Sequence, residues 1–386
     1  MVTAVPTSLG DPTVQQELVL VAVDGNTLLE LATELPSLPG RSILGSLLVP
    51  MLSFYVVEVA DWLRARSSSH PDVLGTYSPG LRSARARLKL FDDNKLRLVG
   101  LADLMSACDR DGVAHFNRAH RGLLGPLKRW LQDDLGLYFI GPDLVQTSHV
   151  MQAVGTLASI GPTSTTRPLG ELIREGTPAH AVRLGEIIGS VARASRSIAE
   201  AHPLRGTRAG TLETLRRQDV KSSHLYVAAG KTLGVEAADV RPLTALIGQV
   251  NFVHRWLRCL LPEDSPLLLR VRYLTAYAAL RALGQLNGRA RRQNPTAELG
   301  VLCAQLLGSE PARLLRLQPK ALRNMLAHYR LRQAADGLTW PEGRVEALAT
   351  TSFGAVDGAV DAFLEETSLA LRGVVPLSRR AVPLDE

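Results

Sequence analysis

Apolar residues recur along most of this chain at spacings of three and four, the period of a helix with one buried face. Phe353, Val356, Val360, Phe363 and Leu364 mark the apolar side of a final helix. Leu267, Val271, Leu274 and Ala278 form one stripe of a long helix over 267–286, with Tyr273, Tyr277 and Leu280 beside it. Leu322, Met325, Leu326 and Tyr329 fall at i, i+3, i+4 and i+7 of a helix predicted from Pro319 to Arg330, where Pro319 suits the first helical position. The same reading gives helices over 27–35, 43–66, 101–107, 115–135, 144–160, 243–261 and 297–307, and two over 169–201 broken at Gly176-Thr177-Pro178. Only Glu17 to Val23 reads as a short strand, closed by the turn signal Asp24-Gly25-Asn26.

Punctuation by Gly, Pro, Ser and Thr divides the pattern. Gly161 to Pro168 is the clearest boundary, and loops are expected at 67–80, 202–211, 262–266, 287–295 and 336–343. The expected fold class is all-α: an N-terminal mainly helical domain over 1–165, a middle helical segment over 166–240, a helical bundle over 241–375 and a tail over 376–386. Short links between the last helices suit an antiparallel bundle.

Composition narrows the classes. At 46% hydrophobic and 21% charged residues the chain is globular. Lys plus Arg exceeds Asp plus Glu, 44 against 37, and the net charge of +7 favours an anionic partner such as nucleic acid or is simply a basic solvated surface. Arg82, Arg85, Arg87, Lys89 and Lys95 cluster in one short span, as a phosphate-contacting stripe or as a solvated helix face. Cys108, Cys259 and Cys303 fit neither a disulfide framework nor zinc-ligand spacing, so a cytoplasmic setting is the expectation. Met1 to Pro12 lacks a signal-peptide pattern, and the apolar run over 43–57 is short for a membrane span. No phosphate loop, dinucleotide fingerprint, helical metal-ligand pair or nucleophile elbow is found, so neither a metal nor a cofactor is expected.

The chemistry-bearing stretch is Arg323-Asn324-Met-Leu-Ala-His328-Tyr329. On a continuous helix Asn324 and His328 lie about 40° apart, whereas Arg323 and His328 lie about 140° apart. One straight helix does not aim both at one small target; two copies across a two-fold axis do. An Arg separated from a His by four to six intervening residues also precedes His70, His115, His180, His202 and His224, so the loose pattern discriminates nothing. Requiring Asn, Asp or His after the Arg leaves this copy and Arg110-Asp111, which Gly112 interrupts.

Over roughly the last 140 residues, this motif resembles the Arg-polar-x3-His signature of the HEPN superfamily, whose domains are small helical bundles. The resemblance implies a metal-independent endoribonuclease, assembled as a homodimer and belonging to toxin–antitoxin or anti-phage systems, with RNA as substrate and an antitoxin or sensor protein as a further partner. The implied catalytic residues are Arg323, Asn324 and His328. Histidine exchanges protons near neutrality, and the arginine fork matches phosphate oxygens. Arg289, Arg291, Arg292 and Tyr329 are weaker candidates for contacting substrate. Many members of the superfamily keep the fold without catalysis, so a helical interaction or scaffold protein stands as the alternative. A DNA-binding regulator is the third reading, from a faint helix-turn-helix pattern over 225–250. His254 with Arg255 and Arg258 reads as bundle surface.

Overall fold

The computed structural model describes residues 11–38, 40–66, 81, 82, 85, 133–151, 169–329, 331, 338, 340–375, 382 and 383. The boundary at 161–168, the helices expected over 101–107 and 115–132, Cys108 and most of the basic span over 82–95 lie outside them.

Helix α1 (Pro12–Glu34) begins where the side chain of Asp11 accepts a hydrogen bond from Thr13 N, with Pro12 at the first position. It runs through Glu17 to Val23 and the Asp24-Gly25-Asn26 stretch, so the expected strand there is helix. A turn signal carries little weight when the residues on both sides bury one continuous helical face. Helix α2 (Arg41–Arg66) follows, with Phe54, Tyr55, Val56 and Val57 fully buried. The stretch Ile43–Arg66 is long and apolar enough to cross a membrane, yet 78% of its most apolar window is buried inside this chain.

The chain is mostly helical but carries a small antiparallel sheet that the periodicity reading did not anticipate. Strands β1 (Leu135–Ile140), β2 (Asp143–Thr147), β3 (Leu215–Val220) and β4 (Val382–Pro383) are arranged in the order β2-β1-β3-β4. β1 and β2 form a hairpin over Gly141, whose φ of 52° is the left-handed region that glycine tolerates. β1 is buried along its whole length, which erases the alternation that marks a half-exposed strand. Leu144 to Thr147, expected to be helical, is therefore strand.

Helices α3 (Leu169–Ala194) and α4 (Arg196–Ala201) meet at Ser195, and α3 passes unbroken through Gly176-Thr177-Pro178. After β3 come α5 (Ser222–Leu233) and α6 (Ala237–Asn251), separated by Gly234 at φ 68°. The helix continues from α6 through a π-helical turn, Phe252–Leu257, and a last turn, Arg258–Leu260. The long helix α7 (Pro266–Gln293) is capped by Ser265 and stays helical past Leu286, so Arg289, Arg291 and Arg292 sit on a helix and not in a loop. Beyond it lie α8 (Glu298–Gly308), α9 (Glu310–Leu317), α10 (Lys320–Ala327), α11 (Glu342–Glu346) and α12 (Phe353–Leu371). Val356, Val360, Phe363 and Leu364 of α12 are buried as the pattern requires.

One buried apolar cluster runs from Val14 in α1 to Leu371 and Val375 at the end of α12. α7 lies at its centre, packed against α1, α6, α8, α10 and α12. The sheet joins this core through α6, where Asn251 donates to Leu144 O at 2.8 Å and Gly248 lets the helix backbone approach β2. A methyl group on Gly248 would lie 2.7 Å from Val145 O, a contact with backbone that no side-chain adjustment relieves. Gly248→Ala is therefore expected to destabilise by about 1–3 kcal/mol. Gly284→Ala, whose added methyl meets nothing within 4 Å, is expected to be neutral or stabilising by up to about 1 kcal/mol. Urea unfolding of the two variants beside wild type checks both.

Candidate functional site

The motif segment is not one helix. α10 ends at Ala327, and His328 is extended at φ −135° and ψ 151°. The backbone N–H of His328 makes the last helical bond, to Asn324 O at 3.1 Å, but the extended φ of His328 turns its side chain off the helical path that would set it beside Asn324. The side chains of the two charged motif residues engage different elements. Arg323 lies over the ring of Tyr277 on α7, 5.1 Å from its centroid. His328 turns toward α2, where its Nδ1 is 2.6 Å from Oε2 of Glu58. Glu58 is buried, and its other oxygen, Oε1, is 2.8 Å from Nη1 of Arg85. The His328 side chain keeps 33% of its surface, so the pair sits at the protein–solvent boundary. Its Nε2 has no hydrogen-bond partner among the described residues.

Three carboxylates from the N-terminal helices hold the short stretch after α10. Glu58 takes the imidazole of His328. Asp24 on α1 accepts from the Tyr329 hydroxyl at 2.6 Å. Glu17, two helical turns before Asp24 on the same face of α1, accepts from Leu331 N at 2.8 Å and from Trp62 Nε1 at 2.8 Å, and it pairs with Arg66. Arg344 on α11 closes the arrangement by donating to Leu331 O at 3.1 Å.

Arg270 of α7 stands at the middle. It is 1% exposed, with Nη1 3.1 Å from Asp24, Nε donating to Leu326 O at 2.9 Å and its guanidinium 3.9 Å from the Tyr329 ring centroid. Burial works against the Arg270 charge, but Tyr329, Asp24 and Glu58 together hold its pKa above the ordinary value. Tyr329 is 1% exposed, and burial raises its hydroxyl well above the usual range, so it is a donor to Asp24 and not a surface for substrate. Burial also pushes the Asp24 carboxyl from 3.8 up to about 6, outweighing Arg270 and Tyr329.

The weaker candidates are placed elsewhere. Arg289 pairs with Asp239 on α6, and Arg291 and Arg292 are exposed near the end of α7. Arg289 is about 18 Å further along α7 than Tyr277, at about 1.5 Å per residue, so these three do not join Arg323 and His328 within one chain. A groove of about 410 Å³, lined by Lys231, Gly234, Glu236, Gln293 and Asn294, lies at that far end of α7 as well. Arg82 and Arg85, from the basic span, face Asp61 and Glu58 of α2. α5 and α6 do form a helix-turn-helix outline, but Val240, Leu243, Leu246 and Ile247 bury the second helix, leaving it no exposed recognition face. His254 is buried in the π-helical turn, not on the surface, and burial together with Arg255 lowers its pKa. Among the described residues, no group of three or more His, Cys, Asp or Glu is placed to hold a metal ion.

The raised Asp24 value has a consequence for stability. A carboxyl that binds its proton more tightly when folded contributes most below its unfolded pKa, and that contribution disappears as pH rises through the folded value. The window here runs from about pH 4 to about pH 6. Wild type is expected to lose about 2–3 kcal/mol relative to Asp24→Asn between pH 4 and pH 7, measured by urea unfolding at both pH values. A constant difference between the two proteins would contradict the assignment.

Comparison of the chain with family models, curated proteins and solved structures returns no match, so the reading of this site rests on its own residues.

Proposed function

We propose that the chain is a metal-independent endoribonuclease of HEPN type. His328 acts as general acid or base, Arg323 binds and stabilises the phosphate, and Asn324 orients the reacting groups. The observation that carries this reading is the state of His328: one-third exposed, held through Nδ1, with Nε2 unengaged among the described residues. A histidine held in this way can exchange a proton with a ligand in solvent.

The reaction is a transesterification. The 2′-hydroxyl of a nucleotide loses its proton to a base and attacks the adjacent phosphorus. The bond from phosphorus to the 5′-oxygen breaks, and that oxygen takes a proton from an acid. The products are a 2′,3′-cyclic phosphate and a 5′-hydroxyl. Negative charge grows on the phosphate oxygens, which a planar guanidinium stabilises through two hydrogen bonds. Because Arg323 and His328 of one chain engage different helices, the reading requires a second copy, each contributing one motif to a common cleft.

A second reading has its own observation. Arg323 over Tyr277, His328 on Glu58 and Tyr329 on Asp24 all fasten the C-terminal segment to α2, α7 and α1. In a non-catalytic interaction protein these contacts would be the whole purpose of the motif.

RNA cleavage in EDTA by the purified full chain separates the two. Wild type is expected to cut and to leave 2′,3′-cyclic phosphate ends. His328→Ala and Arg323→Ala are expected to lose at least about 100-fold in rate while remaining folded by circular dichroism, although His328→Ala, which strips buried Glu58 of a partner, unfolds at a lower temperature than wild type. An inactive wild type, or variants that cut as well as wild type, would remove the ribonuclease and leave the interaction protein.

A further inference from the structure

We propose that Glu58, supplied by α2 from outside the C-terminal bundle, is the positioning residue for His328. It fixes the imidazole with its proton on Nδ1 and its Nε2 lone pair toward solvent. The inference rests on the ribonuclease reading for its place in a reaction, but the positioning itself stands on geometry.

Glu58 interrupts the apolar stretch Phe54-Tyr-Val-Val-Glu-Val-Ala60, and its side chain is 1% exposed. A carboxylate taken out of water needs compensation for both oxygens. Oε1 has the Arg85 guanidinium at 2.8 Å, and Oε2 has Nδ1 of His328 at 2.6 Å. With Arg85 countering its charge, the carboxylate is an acceptor, so the proton between it and the ring belongs to Nδ1. In a neutral imidazole the other nitrogen then carries the lone pair. His328 Nδ1 is engaged by Glu58 and Nε2 has no hydrogen-bond partner among the described residues, so the nitrogen left for substrate is the one prepared to take a proton.

The ring is also held in direction. His328 is extended at the end of α10, and its immediate neighbour Tyr329 is locked between Asp24 and Arg270. The backbone on one side and Glu58 on the other leave the imidazole little freedom to turn. A carboxylate that orients a histidine without touching substrate acts on kcat and not on KM, since the bound substrate does not meet it.

The test is nitrogen NMR of the full chain labelled with ¹⁵N-histidine, with His328 assigned by comparison with His328→Gln. Spectra are followed to alkaline pH until the neutral ring is resolved. Wild type is expected to show His328 protonated on Nδ1, and Glu58→Ala is expected to convert it to the Nε2-protonated form that an unheld side chain favours. Glu58→Gln, which keeps an acceptor oxygen, should retain the Nδ1-protonated form at least in part. In the cleavage assay, Glu58→Ala should lower kcat roughly ten- to a hundredfold with KM changed less than about twofold.

A wild-type ring protonated on Nε2 overturns the proposal without any variant, so a misfolded Glu58→Ala does not shelter it. An Nδ1-protonated ring that Glu58→Ala leaves unchanged in a folded protein overturns it as well. An Nδ1-protonated ring that responds to Glu58 in a chain that does not cut RNA upholds the positioning and removes the ribonuclease. Cleavage with unchanged kcat in Glu58→Ala does the reverse.

Discussion

The burial of Arg270 constrains the fold more than any other single contact. Removing a guanidinium from water costs several kcal/mol even after the protein relaxes, so a fully enclosed arginine requires partners in fixed places. Here they come from four parts of the chain: Asp24 on α1, Phe54 on α2, the carbonyl of Leu326 at the end of α10, and the Tyr329 ring just beyond. None of these can shift by a helical turn without stranding the charge. The arrangement is a poor source of net stability, since an apolar core of equal volume stabilises as well or better. Its value is in register. It fixes how the N-terminal helices dock against α7, and it dictates where the chain goes after Ala327.

The contact of Arg270 with the Leu326 carbonyl coincides with the early end of the motif helix. A helix running to Arg330 would have used the Leu326 carbonyl internally, as acceptor for the N–H four residues on. Arg270 donates to that carbonyl, and the chain leaves helical geometry at His328. No glycine or proline marks this exit; the group that meets the last-turn carbonyl of Leu326 is a residue 56 positions away in sequence. The apolar periodicity was nevertheless right about burial: Leu322, Met325, Leu326 and Tyr329 all face inward. Periodicity reports which side chains are buried, and it does so whether or not the backbone between them remains helical.

The same distinction accounts for what the sequence disclosed elsewhere. The helices over 267–286, 297–307 and 353–364 were legible because each has a stripe to bury and a cap or loop at one end, and the helix over 43–66 because it is a long apolar run buried nearly all round. β1 was not, since a strand buried on both faces has no alternation, and β3, Leu-Arg-Arg-Gln-Asp-Val, has polar residues on both faces. The partners of the site left a fainter signal. Glu58 is a single charge inside an apolar run, Glu17 and Asp24 flank the run 18–23, and Arg270 follows Leu267 to Leu269; such charges must be paired if the runs are buried. That much could have been read from Leu-Val-Leu-Val-Ala-Val-Asp, Tyr-Val-Val-Glu-Val and Leu-Leu-Leu-Arg-Val. Which charge meets which could not, because the pairs are separated by 246 residues for Asp24 and Arg270 and by 270 for Glu58 and His328. Coulombic matching alone leaves several pairings open until the helices are packed.

From this follows a view of the N-terminal helices. Glu17, Asp24 and Glu58 each satisfy a different group in the stretch from His328 to Leu331: a backbone N–H, a phenol and an imidazole. Without α1 and α2 those groups, and the Arg270 charge behind them, would be left without these acceptors. Residues 11–66 are therefore not an appendage to a self-sufficient C-terminal bundle. They complete its polar interior and supply the carboxylate against which its partly exposed motif histidine is set. Whatever displaces α2 from that stretch would release His328 from Glu58 and loosen the Arg270 cluster together, so the ring's orientation and the register of the fold rise or fall as one.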